Sequence, residues 1–347
     1  MKSASDIGWL RGPEFDLFFV VGLPVIAIAS GFAVVWNNDL FLPVLAADLW
    51  ILGYHHVVAT YTRLAFDKKG FAEHKALIFY LFPAVAAAVV FLVATSGIWL
   101  IPTIYLYWQW WHYTRQSEGI SKAYAGKARG KQIGNPRITR ATFYAVPLTG
   151  ILAVSNRAPA EFLFFPLRTL PVADVVLTIA FTGTGILLAL WVVDQIRTWR
   201  AGQLGIAYLM YVLSHFVIYF LAYVYIQEIN YGWLVINIWH NAQYIMFVWL
   251  YNNRRFGGKV DSESPFLSTI SQNGRFLLYF STCLTISTLV YFLISTYVAG
   301  ALGSAFAFTT TAVALIIYQT INFHHYIVDS LIWKMRKKRV RENLGLT

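Results

Sequence analysis

The sequence predicts an all-α, polytopic integral membrane protein: a bundle of about ten transmembrane helices with both termini in the cytoplasm. Three observations lead to this fold class. Of the 347 residues, 58% are hydrophobic and only 12% are charged, which is about half the charged fraction of a soluble domain. The apolar residues form runs of about 20, the length that crosses a bilayer as a helix. The basic residues behind the net charge of +11 lie in short clusters between these runs.

The apolar runs define the predicted helices and leave little of the chain outside them. We predict membrane spans at 16–36, 42–66, 76–96, 98–117, 138–155, 173–196, 205–226, 231–251, 276–299 and 303–333. Residues 1–347 then form a single transmembrane domain, with cytoplasmic loops at 118–137 and 252–275 and a basic cytoplasmic tail at 334–347.

The placement of basic residues gives an independent test of this topology. Of the 27 Lys and Arg residues, all except Arg157 and Arg168 fall on one side of the membrane when the N-terminus is cytoplasmic. The positive-inside rule expects this asymmetry, and it predicts a multi-pass protein of the inner (cytoplasmic) membrane. Because the clusters border the spans, we expect them to contact anionic lipid and not nucleic acid.

Histidines are concentrated inside the predicted spans. All eight except His74 lie there: His55, His56, His112, His215, His240, His324 and His325. An ionisable side chain in a transmembrane segment normally faces the bundle interior and marks a site or a path. Because neutral imidazole binds iron, copper and zinc, and because the histidines share a depth, we predict a metal site. Its ligands are drawn from His55, His56, His112, His240, His324 and His325.

Adjacent histidines on a helix point about 100° apart, so we expect one member of each pair to bind the metal, and we favour His56 and His325. Polar residues four positions after a histidine share its helix face and can orient it. Four histidines have such a neighbour: Thr60 after His56, Gln116 after His112, Tyr244 after His240 and Asp329 after His325. We predict catalytic roles for Tyr244 and Asp329. Asp48, which precedes the histidines of its span, is a candidate for a proton route.

Aromatic residues are dense around two of the histidines. They surround His112 and follow His215: Tyr105, Tyr107, Trp108, Trp110, Trp111, Tyr113, Tyr219, Tyr223 and Tyr225. Interfacial belts and packing explain such residues, and a cavity for a long apolar substrate explains them equally well.

Four short segments, in order along the chain, also resemble a known family. They are Gly22-Leu23-Pro24, the histidine-bearing second span, Ile238-Trp239-His240 running to Phe247-Val248-Trp249, and His324-His325-Tyr326-Ile327-Val328-Asp329. They resemble the Brp/Blh family of membrane beta-carotene-cleaving dioxygenases, which hold a non-haem iron by histidines and split a polyene with O2. The resemblance implies ligands at His55 or His56, at His240, and at His324 or His325. The chain departs from the family at Val25 and Tyr244, where the family has histidines, so His112 or Tyr244 would have to compensate.

These observations predict a metal-dependent membrane oxidoreductase, a non-haem iron oxygenase whose partners are O2 and a lipid-soluble substrate such as a polyene. Two alternatives remain from the sequence. One is a haem protein that passes electrons from quinol, with histidines as axial ligands, and the other is a proton-coupled transporter. Copper is a further candidate for the metal.

Overall fold

A computed structural model describes residues 7–128, 133–306 and 309–346 of the chain. The structure is 81% helical, with almost no strand among these residues, which confirms the all-α prediction. Ten long helices follow one another: α1 Pro13–Trp36, α2 Asn38–Leu64, α3 Lys68–Ser96, α4 Leu100–Lys127, α5 Pro136–Arg157, α6 Asp174–Arg200, α7 Ile206–Tyr225, α8 Ile229–Phe256, α10 Phe276–Ala305 and α11 Thr310–Ile332. Two short helices, α9 Pro265–Ile270 and α12 Lys338–Asn343, and a hairpin of β1 Glu161–Phe162 with β2 Phe165–Pro166 complete the described elements.

Seven of the long helices are long and apolar enough to cross a membrane by length and composition, which indicates a multi-pass membrane protein. The other three long helices of the described chain, α4, α8 and α11, carry His112, His240 and His325. Their buried polar residues lower their hydropathy, whereas α2 and α7, which carry His55, His56 and His215, are among the seven apolar helices. The total of ten spans and the cytoplasmic position of the termini stay predictions.

Two predicted loops are partly helical. The segment 118–137 begins with the last turns of α4, and the segment 252–275 contains the end of α8 and all of α9. Glu118 explains the first extension, because it pairs along the helix with Arg115 at 2.5 Å and with Lys122 at 2.9 Å. Such pairs stabilise a helix beyond the end of its apolar run. Arg129, two residues beyond the end of α4, lies outside the described residues.

Helix α8 lies at the centre of the bundle, and almost all of its side chains are buried. It packs against α1, α2 and α7. Gly31 makes the approach of α1 possible, because a Cβ atom there would overlap Cγ2 of Val235. Small residues at such crossings let membrane helices pack closely. By contrast, the apolar stretches of α3 and α6 are mostly exposed, so these helices form the periphery.

A π-helical turn at Leu49–Gly53 interrupts α2 immediately before Tyr54, His55 and His56. A π turn inserts one extra residue and therefore rotates the helix face that follows it, and such turns are frequent at functional sites. Here it sets which histidine of the pair faces α4, α8 and α11.

Candidate metal centre

Three helices of the bundle meet at one buried cluster of histidines and a carboxylate. His56 comes from α2, His112 from α4, and His325 and Asp329 from α11. Each offers one ligand atom, and these four atoms all lie within 4.8 Å of one another. All four side chains are buried. We call this set of four residues the histidine–aspartate cluster.

The ligand atoms of this cluster have no other partner. Nε2 of His56, His112 and His325 and Oδ2 of Asp329 are buried without a hydrogen-bond partner among the described residues. A buried polar atom without a partner costs about 1–3 kcal/mol, so four converging on one point need an explanation. A metal ion bound between them would satisfy all four, since neutral imidazole and carboxylate are metal ligands.

Hydrogen bonds on the far sides of these groups fix their orientation. Nδ1 of His325 lies 2.9 Å from Oγ1 of Thr60, and the Tyr244 hydroxyl donates to Oδ1 of Asp329 at 2.7 Å. Thr60 Oγ1 also lies 2.7 Å from the Tyr244 hydroxyl, which accepts a hydrogen bond from Trp333 Nε1 at 3.0 Å.

The positions of the protons in this network leave lone pairs of His325 and Asp329 free to bind a metal. If Nδ1 of His325 carries the proton and donates to Thr60, the lone pair of Nε2 points into the cluster. In the same way, the Tyr244 hydroxyl occupies one oxygen of Asp329 and leaves the other free. Partners of this kind orient metal ligands and tune their basicity.

His240 on α8 borders the histidine–aspartate cluster. Its ring centre lies 5.0 Å from that of His56 and 5.2 Å from that of His112, and its Nε2 is also buried without a partner among the described residues. The ring stacks on Tyr113 at 3.7 Å. His240 therefore presents a further imidazole nitrogen beside the histidine–aspartate cluster.

The remaining predicted ligands point elsewhere. His324 is hydrogen-bonded through both ring nitrogens, to the Tyr61 hydroxyl at 2.9 Å and to the Leu77 carbonyl at 2.7 Å. Nδ1 of His55 bonds the carbonyl of Ile51 at 3.2 Å, and its ring packs edge-on against Phe280. These two histidines belong to the packing of α2, α3, α10 and α11, while their neighbours His56 and His325 enter the cluster.

His215, the other histidine of the predicted spans, is satisfied in the same manner as His324. Its nitrogens lie 2.9 Å from Ser117 Oγ and 3.0 Å from the Phe143 carbonyl, and its ring stacks on Phe143. It has no free nitrogen for a metal. His74, near the start of α3, bonds the Gly70 carbonyl and lies away from the cluster.

Asp48 is buried on α2, eight residues before His56. Its Oδ2 accepts a hydrogen bond from Asn237 at 2.5 Å, and Oδ1 has no partner among the described residues. The Asn241 amide interacts with both Asp48 and His56. A polar cavity of about 50 Å³ borders His56, Asn237 and Asn241, and it has room for ordered water. This arrangement agrees with the predicted proton route without testing it.

A larger cavity reaches the cluster between α4, α8 and α11. It measures about 610 Å³ and touches His112, Tyr244 and Asp329. Its walls are largely aromatic and apolar: Trp108, Trp111, Ile120, Phe247, Tyr326, Ile327, Trp333 and Met335. Part of the aromatic density around His112 therefore lines a space that leads to the candidate metal centre.

Sequence reasoning missed two parts of the site. Thr60, expected to support His56 from the same helix, instead contacts His325 on α11. Trp333 was not singled out, although it bonds Tyr244 and the centre of its ring lies 3.8 Å from the guanidinium of half-buried Arg63. Its position four residues after Asp329 was the available signal. Gln116, four residues after His112, lines the larger cavity.

Comparison of the chain with protein-family models, with curated proteins and with solved structures found no match.

Proposed function

We propose that this protein is a membrane metalloenzyme in which His56, His112, His325 and Asp329 bind one metal ion, with His240 at the edge of the coordination sphere. The observation that supports this most strongly is the convergence of four buried, unpartnered ligand atoms within 4.8 Å among the described residues. Elsewhere in the described part of the bundle the rings of His215 and His324 are fully hydrogen-bonded, and His55 has a single unpartnered nitrogen, Nε2, that does not converge with others.

The donor set favours a non-haem metal over haem. The macrocycle of a haem occupies four positions of its iron, so the protein supplies at most two axial ligands. Four protein atoms at one point suit a bare ion instead. Imidazole nitrogens with one carboxylate are typical of non-haem iron, and imidazole also suits copper and zinc. We propose iron as the resident metal and copper as the alternative.

We further propose that the enzyme is an oxygenase for a long apolar substrate. The aromatic cavity supports this, because it reaches His112, Tyr244 and Asp329 from outside the cluster. The bound metal would supply the activation of O2. The chain would position the substrate along Trp108 and Tyr326 and exclude bulk water from the reacting atoms. The resemblance to membrane beta-carotene-cleaving dioxygenases points to the same class of reaction, and a polyene is one substrate of this kind.

Metal analysis of the purified protein tests the proposal. We expect about one iron per chain by inductively coupled plasma mass spectrometry and no Soret band in the visible spectrum. Ala at His56 or His325 should remove most of the metal, whereas Ala at the neighbouring His324 or at His74 should not. His324→Ala is the matched control, since it changes an adjacent buried histidine of the same helix.

Two results would overturn the proposal. A Soret band would identify a haem protein. Equal metal content in the His325→Ala and His324→Ala proteins would show that the cluster does not hold the metal.

A further inference from the structure

The larger cavity has two chemically different ends. Its inner end touches His112, Tyr244 and Asp329, and its outer end is basic. The basic residues of the lining are Lys122, Lys334 and Arg336 at that end and Arg115 one turn beyond His112, with Glu118 as the acidic residue beside them. A purely apolar ligand would leave Lys334 and Arg336 without a partner among the described residues.

The charges at the outer end are only partly compensated. Glu118 is shared by Arg115 at 2.5 Å, Lys122 at 2.9 Å and Arg140 at 3.4 Å, so one carboxylate faces three cations. Neither Lys334 nor Arg336 forms an ion pair with any part of the chain that the structure describes. Lys334 is half-buried and Arg336 is exposed. Two cations at the mouth of a cavity are therefore free to bind an anion.

The distance between the two ends sets the kind of ligand. On the α4 wall, Lys122 follows His112 by ten residues, which corresponds to about 15 Å at a rise of about 1.5 Å per residue. On the other wall, Lys334 and Arg336 lie beyond the end of α11, five and seven residues after Asp329. A ligand that touches both ends must be elongated, with an anionic group at one end only. The aromatic walls between the ends require the rest of it to be apolar.

We propose that this cavity binds a long-chain amphiphile with an acidic head group, a carboxylate or a phosphate, held by Lys334 and Arg336 while the chain extends toward the histidines. This inference deepens the proposed function, since it defines the substrate class of the same site. Binding of the head group itself requires no metal. The alkyl chain of the ligand supplies the apolar contact, and the two cations fix which end of the ligand faces the cluster.

A binding assay with matched head groups tests the charge contact. Binding of tritiated oleate to the purified protein in a neutral detergent is measured alone and in competition with oleyl alcohol, oleoyl lysophosphatidic acid and octanoate. We expect oleyl alcohol to compete at least tenfold less well than oleate, because it lacks the charge. Octanoate should compete poorly, because it is too short to span the cavity. A preference for lysophosphatidic acid over oleate would assign the head group as phosphate, and the reverse would assign carboxylate.

Charge variants locate the contact. Lys334→Gln with Arg336→Gln should weaken oleate binding by about tenfold for each charge, as expected when a charged hydrogen bond is lost. Lys338→Gln with Arg341→Gln is the matched control, since it removes two charges from exposed positions of the same tail. Equal affinity in the two double variants, or equal competition by oleyl alcohol and oleate, would overturn the inference.

A steric variant tests where the alkyl chain of the ligand lies. A Cβ atom at Gly119, on the cavity wall, would have no neighbour within 4 Å, so Gly119→Leu should fill the cavity without disturbing the fold. We expect it to weaken oleate and oleyl alcohol alike by at least tenfold. Gly183→Leu, an equally open helical glycine on α6, should have no effect. Unchanged binding in Gly119→Leu would also overturn the inference.

Metal content measured on the same preparations separates the two proposals. Charge-dependent oleate binding by a protein without metal would refute the metalloenzyme and keep the acidic amphiphile. A metal-loaded protein that binds oleate and oleyl alcohol equally would refute the acidic amphiphile and keep the metalloenzyme.

Discussion

Removal of the Thr60 hydroxyl is the smallest change that tests the architecture of the candidate metal centre. Its oxygen lies 2.9 Å from His325 Nδ1, 2.7 Å from the Tyr244 hydroxyl and 3.3 Å from Asp329 Oδ1. Thr60→Val removes this oxygen and keeps nearly the same volume, so packing between α2 and α11 should survive. Tyr244 and Asp329 can still bond each other directly at 2.7 Å. The principal loss is therefore the acceptor for the His325 ring N–H.

The magnitude follows from that single loss. A buried donor left without its acceptor costs about 1–3 kcal/mol. At about 1.4 kcal/mol per factor of ten, this corresponds to about 5- to 150-fold in metal affinity. Removing partners that orient metal ligands typically costs about 10–100-fold, which lies within the same range. We therefore expect the metal dissociation constant of Thr60→Val to rise by about 10–100-fold.

Competition with a chelator of known affinity measures this constant. Thr62→Val is the matched control, since Thr62 is buried on the same helix and its hydroxyl bonds the Ala59 carbonyl and contacts Tyr279 instead of the cluster. Tyr244→Phe should weaken metal binding similarly, because it removes the donor to Asp329. An unchanged dissociation constant in Thr60→Val would refute the reasoning, since His325 would then not depend on this contact for its orientation as a ligand.

Three further predictions concern topology, packing and acid stability. A cysteine at Arg157 should react with a membrane-impermeant maleimide in intact cells, and background should be low because the native Cys283 is buried; protection of residue 157 would contradict the predicted topology. Gly31→Ala should lower stability in detergent by about 1–3 kcal/mol through overpacking against α8, and adding Val235→Ala should restore the melting temperature; a harmless Gly31→Ala would show that the helices are not in close contact there. Burial alone would raise the pKa of Asp67, but its contacts with Arg255 outweigh this and lower it to about 2. Its stabilising contribution should thus be complete above about pH 4 and fall as the pH approaches about 2. Asp67→Asn should flatten acid unfolding in that range, and an identical acid profile would exclude this role.

The Asp67 prediction depends on a cluster that ties three parts of the chain together. Asp67 pairs with Arg255 at the end of α8 at 2.6 Å and with Arg339 of α12 at 2.9 Å, and it accepts a hydrogen bond from Ser264 at 3.0 Å. None of these contacts was predicted, because the partners are distant in the sequence. The hydropathy pattern identified the residues only as loop and tail positions.

The sequence by itself determined the class of structure and the residue types available to the site. A run of apolar residues forms a helix because every backbone group in lipid must be hydrogen-bonded within its own segment. That rule is local, so composition alone could predict helices, as it did for α1, α3 and α6. The retention of seven histidines in apolar segments was equally visible, since burying such groups is costly and marks a site.

Only the tertiary structure decided which of those residues meet. His55 and His56 differ by one position, and the choice between them depends on the rotation of α2, which the π turn at Leu49–Gly53 alters. His325 and His324 are separated in the same way by the packing of α11 against α2, α3 and α4. The Thr60 contact with His325 crosses between helices, although spacing suggested a contact within α2. Helical spacing fixes which residues share a face, whereas the direction of that face depends on the surfaces of all the neighbouring helices at once.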